Sequence, residues 1–579
     1  MMIMNTKYIK RLFAAGMVAC AMMTGFSSCM DLDPKADLGD NLVWSKADNF
    51  QLFANQFYGW TRDFQQGANY ASGLSDGPHS DYRSDLVCTS SVNTYSQGTN
   101  AIPATDGNYT TLYKRIYYTN LLLKNAEQFG NQAAIAVPMG EALWFRAYLH
   151  FELVQLYGNT QLLTTPLDMD SEKLYQERDD RGVVIDQIVK DLQQAATLLP
   201  ATPAVAGRLG KDAANALLSR VALYEGTWQK FHNNNNSRAT ELLNIAKNAA
   251  DAVINGGNYK LFYNEILGTD SYRYMFILED AKCNPAGLQK KDNTEYIVST
   301  RHRLDDRMAL NITHAMCGNV CYPTRKMANM YLCQDGLPVT KSPLFKGYNQ
   351  AASEFQNRDN RMNGTMFRHG EKYWNNDGKW RTAWDDTDLD NALEVNVRSN
   401  SGYQTRKWGV EREVADYYES MDYPVIRYAE VLLNYAEAAF EINESITDSD
   451  LDKSLNLVRQ RSNPDMPKLS NSFVTANGLN MREEIRRERT VELALEGFRI
   501  DDLKRWATAP TEMKQDQLGV KVTGTWFEAN WTGQARKLNA DGCIIMYTGR
   551  NWSDKLYLYP LPSDQLQLNP QLGQNPGWE

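Results

Sequence analysis

The sequence has no long apolar run beyond its first 25 residues, few cysteines and no block of basic residues. A membrane-spanning helix needs about 20 apolar residues, so none is predicted in the body of the chain. Eight cysteines among 579 residues do not make a disulfide scaffold. With a net charge of -9 and no basic block, the chain is not expected to bind nucleic acid. It is long enough to bury a sizeable core, in one elaborate domain or two to three smaller ones.

Metal-ligand patterns are also scarce. His314, Cys317 and Cys321 lie close in sequence, but no second ligand cluster completes a tetrahedral site. A disulfide between the two cysteines, or a pair of buried thiols, is the alternative. We therefore predict no cofactor and no metal centre of this type.

The first 28 residues have the organisation of an export signal. Residues 7–11 carry three positive charges, residues 12–23 are mostly apolar, and small residues precede Cys29. The sequence FSSC at 26–29 resembles a bacterial lipobox, with Phe where Leu is usual. We expect residues 1–28 to be removed as a signal peptide and Cys29 to be lipidated. Two or more acyl chains on Cys29 would anchor the protein stably to a membrane. An ordinary cleaved signal, with Cys29 incidental, is the alternative.

Apolar residues spaced three or four apart predict a series of amphipathic helices. The predicted helices are 113–129, 135–157, 183–199, 211–228, 239–254, 425–442, 454–461 and 481–506. Their pairing across short turns indicates helix-turn-helix repeats of the tetratricopeptide kind, although the strict 34-residue consensus is absent. Residues 258–422 lack this periodicity and are predicted to form loops with a few strands, one of them at EYIVS (295–299).

Charged residues in the last predicted helix are interpreted as structural ion pairs. Arg489, Glu492, Glu496, Arg499 and Asp502 recur at spacings of three or four, which places them on one helical face. Two carboxylates could act as acid and base in glycoside hydrolysis. Interleaved arginines would keep both ionised, however, whereas a general acid needs a raised pKa.

Several segments, each weak alone, occur together in a characteristic order. They are YTNLLLKNA (118–126), EALWFRAYLHFELVQLYGNTQLLTTPL (141–167), GRLGKDAANALLSRVALYEGTW (207–228), PTRKMANMYLCQDG (323–336), NRDNRM (357–362), YPVIRYAEVLLNYAEAAFEIN (423–443), LNLVRQR (455–461), RRERTVELALEGFRIDDLKRW (486–506) and YLYPLPSDQLQLNPQLGQNPGW (557–578). In this order they resemble the SusD/RagB family of Bacteroidetes outer-membrane lipoproteins. The match covers nearly the whole chain.

The resemblance implies a mainly α fold. It has about four tetratricopeptide-like helix pairs packed against an irregular, loop-rich region with a few short strands. It places one SusD-like domain at 29–579, and the ending LGQNPGW is interpreted as a structural clamp. The expected divisions are a helical scaffold at about 40–257 and 423–510, a loop-rich ligand-side region at about 258–422, and an irregular C-terminal segment at 511–579.

The resemblance also implies a function without catalysis. Family members sit on a SusC-like TonB-dependent transporter of the outer membrane, capture a nutrient, usually a glycan, and deliver it to the transporter. A lipid anchor on Cys29 would hold the protein at the outer membrane, exposed at the cell surface, and Asp31 and Asp33 are similar to acidic export tags. An oligopeptide ligand, as in the RagB branch, is the alternative. A glycoside hydrolase and a scaffold without ligand are further rivals.

One candidate binding loop is SDGPHSDYRSD (75–85). Carboxylates and arginine hydrogen-bond to sugar hydroxyls, while aromatic rings stack on sugar C–H faces. The candidates in and near this loop are Asp76, Asp81, Tyr82, Arg83 and Tyr95. A solvated loop with self-capping aspartates is the alternative, and a structural cation held by Asp76, Asp81 and Asp85 is a third interpretation.

A second candidate loop is EKYWNNDGKWRTAW (371–384). Its crowded rings could form a stacking platform for a sugar, or fold inward to hold a long loop. The candidates are Tyr373, Trp374, Trp380 and Trp384, together with Arg301, which follows the predicted strand.

Overall fold

A computed structural model gives the fold. It describes residues 43–64, 77–89, 91–304, 312–313, 316, 321–368, 401–411, 418–530 and 536–579. The α-helices are α1 Ala47–Ala54, α2 Thr94–Gln97, α3 Gly107–Glu127, α4 Ala136–Tyr157, α5 Arg181–Leu198, α6 Lys211–Phe231, α7 Asn236–Gly256, α8 Ser271–Met275, α9 Arg325–Met330, α10 Asn360–Thr365, α11 Tyr428–Asn443, α12 Asp448–Lys453, α13 Leu455–Ser462, α14 Asn471–Ala476, α15 Met481–Glu492, α16 Arg499–Arg505, α17 Ala509–Glu512, α18 Trp526–Asn530 and α19 Ser563–Leu568. The strands are β1 Val87–Cys88, β2 Tyr296–Thr300, β3 Tyr322–Pro323, β4 Tyr423–Arg427, β5 Gln517–Lys521 and β6 Cys543–Tyr547. None of the helices in these ranges is both long and apolar enough to span a membrane.

The longer helices stack in four consecutive pairs. α3 packs on α4, α5 on α6, α7 on α11, and α13 on α15, and each pair contacts the next. The third pair is divided in sequence, because the irregular region lies between α7 and α11. This arrangement confirms the predicted mainly α, tetratricopeptide-like fold.

Small residues allow close helix packing within this stack. A Cβ atom at Gly226 of α6 would lie 3.0 Å from Leu243 of α7, closer than side-chain packing normally permits. α4 is buried on almost every side, as expected of a helix surrounded by neighbours. The scaffold therefore depends on α4 as its central element.

The strands form three separate antiparallel pairs: β1 with β3, β2 with β4, and β5 with β6. The β2–β4 pair corrects one predicted helix start. Tyr423–Arg427 is extended and pairs with Tyr296–Thr300, and α11 begins only at Tyr428. The predicted strand EYIVS is confirmed.

A second correction concerns the predicted helix 481–506, which is two helices. α15 ends at Glu492 and α16 begins at Arg499. The intervening turn contains Leu495 and Gly497 with φ angles of 64° and 76°, in the left-handed region that a continuous helix cannot use.

A buried cluster of charges joins the helical scaffold to the irregular region. Its members, which we call the buried charge cluster, are Glu295, Asp359, Arg361, Lys407, Arg427, Arg459, Arg461, Glu488, Glu492 and Glu496. Glu492 accepts hydrogen bonds from Arg427 at 2.6 Å, Arg461 at 2.5 Å and Arg361 at 2.9 Å. Burial raises the pKa of Glu492, but the three arginines outweigh it and hold that pKa well below its usual range. The predicted structural ion-pair network is confirmed, with partners drawn from distant segments.

The C-terminal segment closes against the first half of the chain. Trp578 is buried among Tyr95, Leu503 and Trp552, and its indole N–H donates to the Lys555 carbonyl at 2.9 Å. Asn575 donates to the Tyr157 carbonyl at 3.1 Å. The prediction that LGQNPGW acts as a structural clamp is confirmed.

Candidate functional site

Two adjoining cavities lie at the N-terminal end of α3. Their volumes are about 280 Å³ and about 370 Å³, and they share Pro78, Gly107, Asn108 and Leu156. We call the continuous depression the α3 groove. Its smaller part, the tyrosine lobe, contains Tyr559, and its larger part, the tryptophan lobe, contains Trp60.

The start of α3 shapes the junction between the lobes. Asp106 caps the helix by accepting the backbone N–H of Asn108 at 2.8 Å, and its other oxygen accepts the Tyr157 hydroxyl at 2.5 Å. Gly107 follows, and a Cβ atom added there would meet nothing within 4 Å. The space around Gly107 at the junction is therefore open.

The tyrosine lobe is built around two stacked rings. Tyr95 and Tyr559 have centroids 5.2 Å apart with an interplanar angle of 28°. The half-buried Arg83 guanidinium lies over both rings and donates to the Tyr559 hydroxyl. Behind them, burial lowers the pKa of Lys504 to about 8, although Asp501 opposes this. Tyr559 reaches this position because its backbone N–H donates to the Leu156 carbonyl at 2.7 Å.

The tryptophan lobe combines a half-buried indole with polar groups. α3 presents Asn108, Thr111 and Arg115 to this lobe, and Arg115 lies over the Trp60 ring with its Cζ atom 5.7 Å from the centroid. On the opposite side, the Thr300 hydroxyl lies 2.8 Å from the Thr61 hydroxyl. This lobe thus offers hydroxyl, amide and guanidinium groups around one aromatic ring.

A chain of buried charges forms the floor of the tryptophan lobe. Arg62 donates to Glu152 at 2.8 Å, and His79 lies between Glu152 at 3.0 Å and Asp501 at 2.7 Å. Burial raises the pKa of Glu152, but Arg62 and His79 outweigh it and lower that pKa to about 2. Glu152 is therefore a carboxylate at neutral pH and cannot supply a proton.

The residues predicted from the first loop have two different positions. Arg83 and Tyr95 line the tyrosine lobe, although Tyr95 is only 2% exposed, whereas the buried Asp81 and Tyr82 line neither lobe. Burial raises the pKa of Asp81 to about 7, partly offset by hydrogen bonds from the backbone amides of the turn between α15 and α16. Asp81 thus stabilises that turn, and Asp76 lies outside the described residues.

Asp85, the third aspartate of the predicted cation site, is paired with basic side chains instead. Asp85 accepts hydrogen bonds from Arg499 at 2.9 Å and contacts Lys326 at 2.5 Å. Within the ranges the structure describes, no group of His, Cys, Asp or Glu has an arrangement suited to a metal ion. Of the sulfur pair considered above, Cys321 is buried and Cys317 is outside those ranges.

Arg301 lies at the edge of the site. It is exposed, follows Thr300 of the tryptophan lobe, and donates to the Ala206 carbonyl at 2.9 Å. The remaining predicted residues, Cys29, Tyr373, Trp374, Trp380 and Trp384, lie outside the described residues.

Sequence reasoning missed Trp60, Asn108, Arg115 and Tyr559. A usable signal existed at Asp106-Gly107-Asn108, because a helix cap followed by glycine marks an accessible helix start. Trp60 and Tyr559 carry no such signal, because they belong to segments almost 500 residues apart in sequence.

The fold and the groove together define a helical-repeat protein that presents a polar, aromatic-lined depression. Residues 281–578, more than half of the chain, match the family model described as the SusD family. Residues 32–223 match a second model, described as starch-binding associating with outer membrane. The chain belongs to the SusD family.

Comparisons with individual proteins agree with this assignment. SusD-like protein P25 of Formosa agariphila is 29% identical over 125 residues, which span 20% of this chain and 23% of that protein. A SusD-like protein from Bacteroides fragilis has a TM-score of 0.70 at 22% identity, over 94% of this chain and 99% of that one.

Two further solved structures share the fold. A SusD-like carbohydrate-binding protein from Bacteroides fragilis has a TM-score of 0.69 at 21% identity, over 92% of this chain and 99% of that one. Surface glycan-binding protein A from Bacteroides fluxus has a TM-score of 0.59 at 16% identity, over 92% and 100%.

Proposed function

We propose that this protein binds a glycan in the α3 groove and delivers it, unaltered, to a SusC-like TonB-dependent transporter. The observation that carries the proposal is the composition of the groove: two lobes in which Trp60 and Tyr559 are surrounded by hydroxyl, amide and guanidinium groups. Aromatic rings bind the C–H faces of sugars, and the polar groups hydrogen-bond to their hydroxyls. Membership of the SusD family, and relatives described as carbohydrate-binding and glycan-binding, support this choice of ligand.

The carboxylates of the groove favour binding without cleavage. Glycoside hydrolysis needs one carboxyl group with a raised pKa, whereas the pKa of Glu152 is lowered to about 2. Asp106 caps α3, and Asp63 accepts the Phe64 backbone N–H at 2.8 Å and contacts His302 at 3.0 Å. Each of these carboxylates has a structural partner.

The proposed location is the outer membrane, at the cell surface, with the mature protein starting at Cys29 and anchored by acyl chains on that residue. The FSSC sequence at 26–29 and the family description that mentions the outer membrane support it. Labelling of cells with a palmitate analogue, compared between the wild type and Cys29→Ser, tests the anchor. Label that persists in the Cys29→Ser variant would contradict it.

The binding proposal is tested by filling the groove. Gly107→Trp adds an indole at the junction of the lobes, where a Cβ atom would meet nothing within 4 Å. Gly130→Trp is a matched control, since a Cβ atom there is equally free of contacts and Gly130 lies outside the groove. On a glycan array, followed by calorimetry, we expect the wild type and Gly130→Trp to retain an oligosaccharide that Gly107→Trp does not. Release of new reducing ends would indicate a hydrolase instead. Retention of peptides but not glycans, or binding by Gly107→Trp equal to the control, would refute the proposal.

A further inference from the structure

The charge distribution of the tryptophan lobe is unbalanced in one respect. Among the described residues, no carboxylate lies within 4.0 Å of the Arg115 guanidinium. Arg115 Nη1 donates a long hydrogen bond of 3.4 Å to the Trp60 carbonyl. Nearby arginines differ: Arg62 pairs with Glu152 at 2.8 Å, and Arg146 pairs with Asp191 at 2.7 Å.

The acidic groups of the same lobe already have partners within the protein. Glu152 is shared by Arg62 and His79, and Asp63 contacts His302 at 3.0 Å. Arg115 is thus the charged group of the described lobe that lacks a counter-charge. Burial lowers its pKa, and Tyr148 and Glu152 oppose that shift only in part.

The helix that carries Arg115 places further groups beside it. Gly107, Thr111 and Arg115 recur at a spacing of four and lie on one face of α3, at the end that faces the groove. The Asp106 carboxylate already caps the N-terminus of this helix, so the positive charge of the lobe comes from Arg115 itself. Thr111 and Asn108 offer neutral hydrogen-bonding groups beside the cation.

We infer that the tryptophan lobe is a subsite for an acidic sugar, with Arg115 binding the carboxylate of a uronate residue. This inference rests on the proposed glycan-binding function and specifies its substrate class. The sugar ring would lie beside Trp60 while its carboxylate pairs with the guanidinium, in the bidentate geometry that arginine forms with planar anions. Such a pair would supply a counter-charge that none of the described residues provides within 4.0 Å of the guanidinium.

The test compares oligogalacturonates and oligomannuronates with their carboxyl-reduced, neutral counterparts. We expect calorimetry to show uronates binding at least about tenfold tighter, a difference of about 1.4 kcal/mol. This preference should shrink as ionic strength rises, because salt screens charge pairs. The wild-type comparison requires no variant.

Two substitutions then assign the preference to one residue. Arg115→Met should abolish the uronate preference by weakening the binding of uronates far more than the binding of neutral oligosaccharides, because it removes the charge and keeps an apolar side chain over Trp60. Lys124→Met removes the same charge from the exposed, distant end of α3 and should change neither. Arg115→Lys should retain part of the preference, since the charge is kept but the planar fork is lost.

The outcomes separate this inference from the function on which it rests. Equal affinity for uronate and neutral oligosaccharides, in a groove still blocked by Gly107→Trp, would overturn the acidic-sugar inference and leave glycan binding intact. A uronate preference that survives in Arg115→Met would also overturn it. Failure of the wild type to bind any glycan would overturn both proposals.

Discussion

Replacing Glu492 by glutamine removes one negative charge from the middle of the buried charge cluster. The cluster has five cations and five anions, and Glu492 is 0% exposed. Its carboxylate accepts hydrogen bonds from Arg361, Arg427 and Arg461 at 2.9, 2.6 and 2.5 Å. Glutamine has nearly the same shape, but its amide N–H₂ group would face arginine donors. The variant therefore buries an uncompensated positive charge.

The expected loss of unfolding free energy follows from this one uncompensated charge. Removing one partner of a buried ion pair costs about 3–5 kcal/mol. At roughly 2.1 cal/mol/K of unfolding entropy per residue, a chain of 579 residues should lose about 3 °C of Tm for about 4 kcal/mol. Differential scanning calorimetry of the purified mature protein measures it.

Two further variants make this measurement decisive. Asp452→Asn breaks an exposed ion pair, Asp452 with Lys468 at 3.1 Å and both side chains about half exposed, and should cost less than about 1 kcal/mol. Glu492→Gln combined with Arg461→Met restores the charge balance, and should be less destabilising than the sum of the single variants by roughly 0.5–3 kcal/mol. If Glu492→Gln and Asp452→Asn melted at the same temperature, the cluster would not contribute as argued.

Two more predictions concern acid stability and the C-terminal clamp. Burial, which raises the pKa, is outweighed at Glu152 and Glu437 by neighbouring arginines, and each has a pKa lowered from 4.5 to about 2. Between pH 2 and pH 4.5 the unfolded chain therefore binds more protons than the folded protein. The stability that these carboxylates contribute is present above about pH 4.5, and Tm should fall as the pH drops toward 2. A Tm that stays flat across this range would contradict the lowered pKa values. Trp578→Ala should lower the free energy of unfolding by about 3–5 kcal/mol and weaken glycan binding by displacing Tyr559. Trp526→Ala, at a half-buried position outside the groove, should leave the affinity for the glycan unchanged. Calorimetric melts and titrations on both variants check this.

The long helices could be predicted from sequence because their signal is local. The predicted helix 211–228 corresponds to Lys211–Phe231, and 135–157 to Ala136–Tyr157. A short apolar run does not distinguish strand from helix, and the predicted helix 425–442 therefore includes residues 425–427, which belong to the strand Tyr423–Arg427. Its partner strand lies more than 120 residues earlier in the sequence, at Tyr296–Thr300.

The candidate site could be predicted only in part, because its walls come from distant segments. Arg83 belongs to the loop singled out by its polarity, Tyr95 lies ten residues beyond that loop, and both line the groove. Asp81, in the same loop, is covered by the turn between α15 and α16 and is buried. Its sequence neighbourhood is polar and gives no indication of that cover. Burial of a polar residue by a remote segment is a tertiary effect that no local pattern records.

The position of Tyr559 and Asn575 has a consequence for biosynthesis. A ribosome makes the helical scaffold first, and the groove then lacks the wall that Tyr559 supplies and the hydrogen bond from Asn575 to the Tyr157 carbonyl that secures it. A chain released early would present folded helices beside a half-built cleft. A chain that ends before Tyr559 would keep every residue of the tryptophan lobe, which extends no further than Thr300, and would lack one wall of the tyrosine lobe.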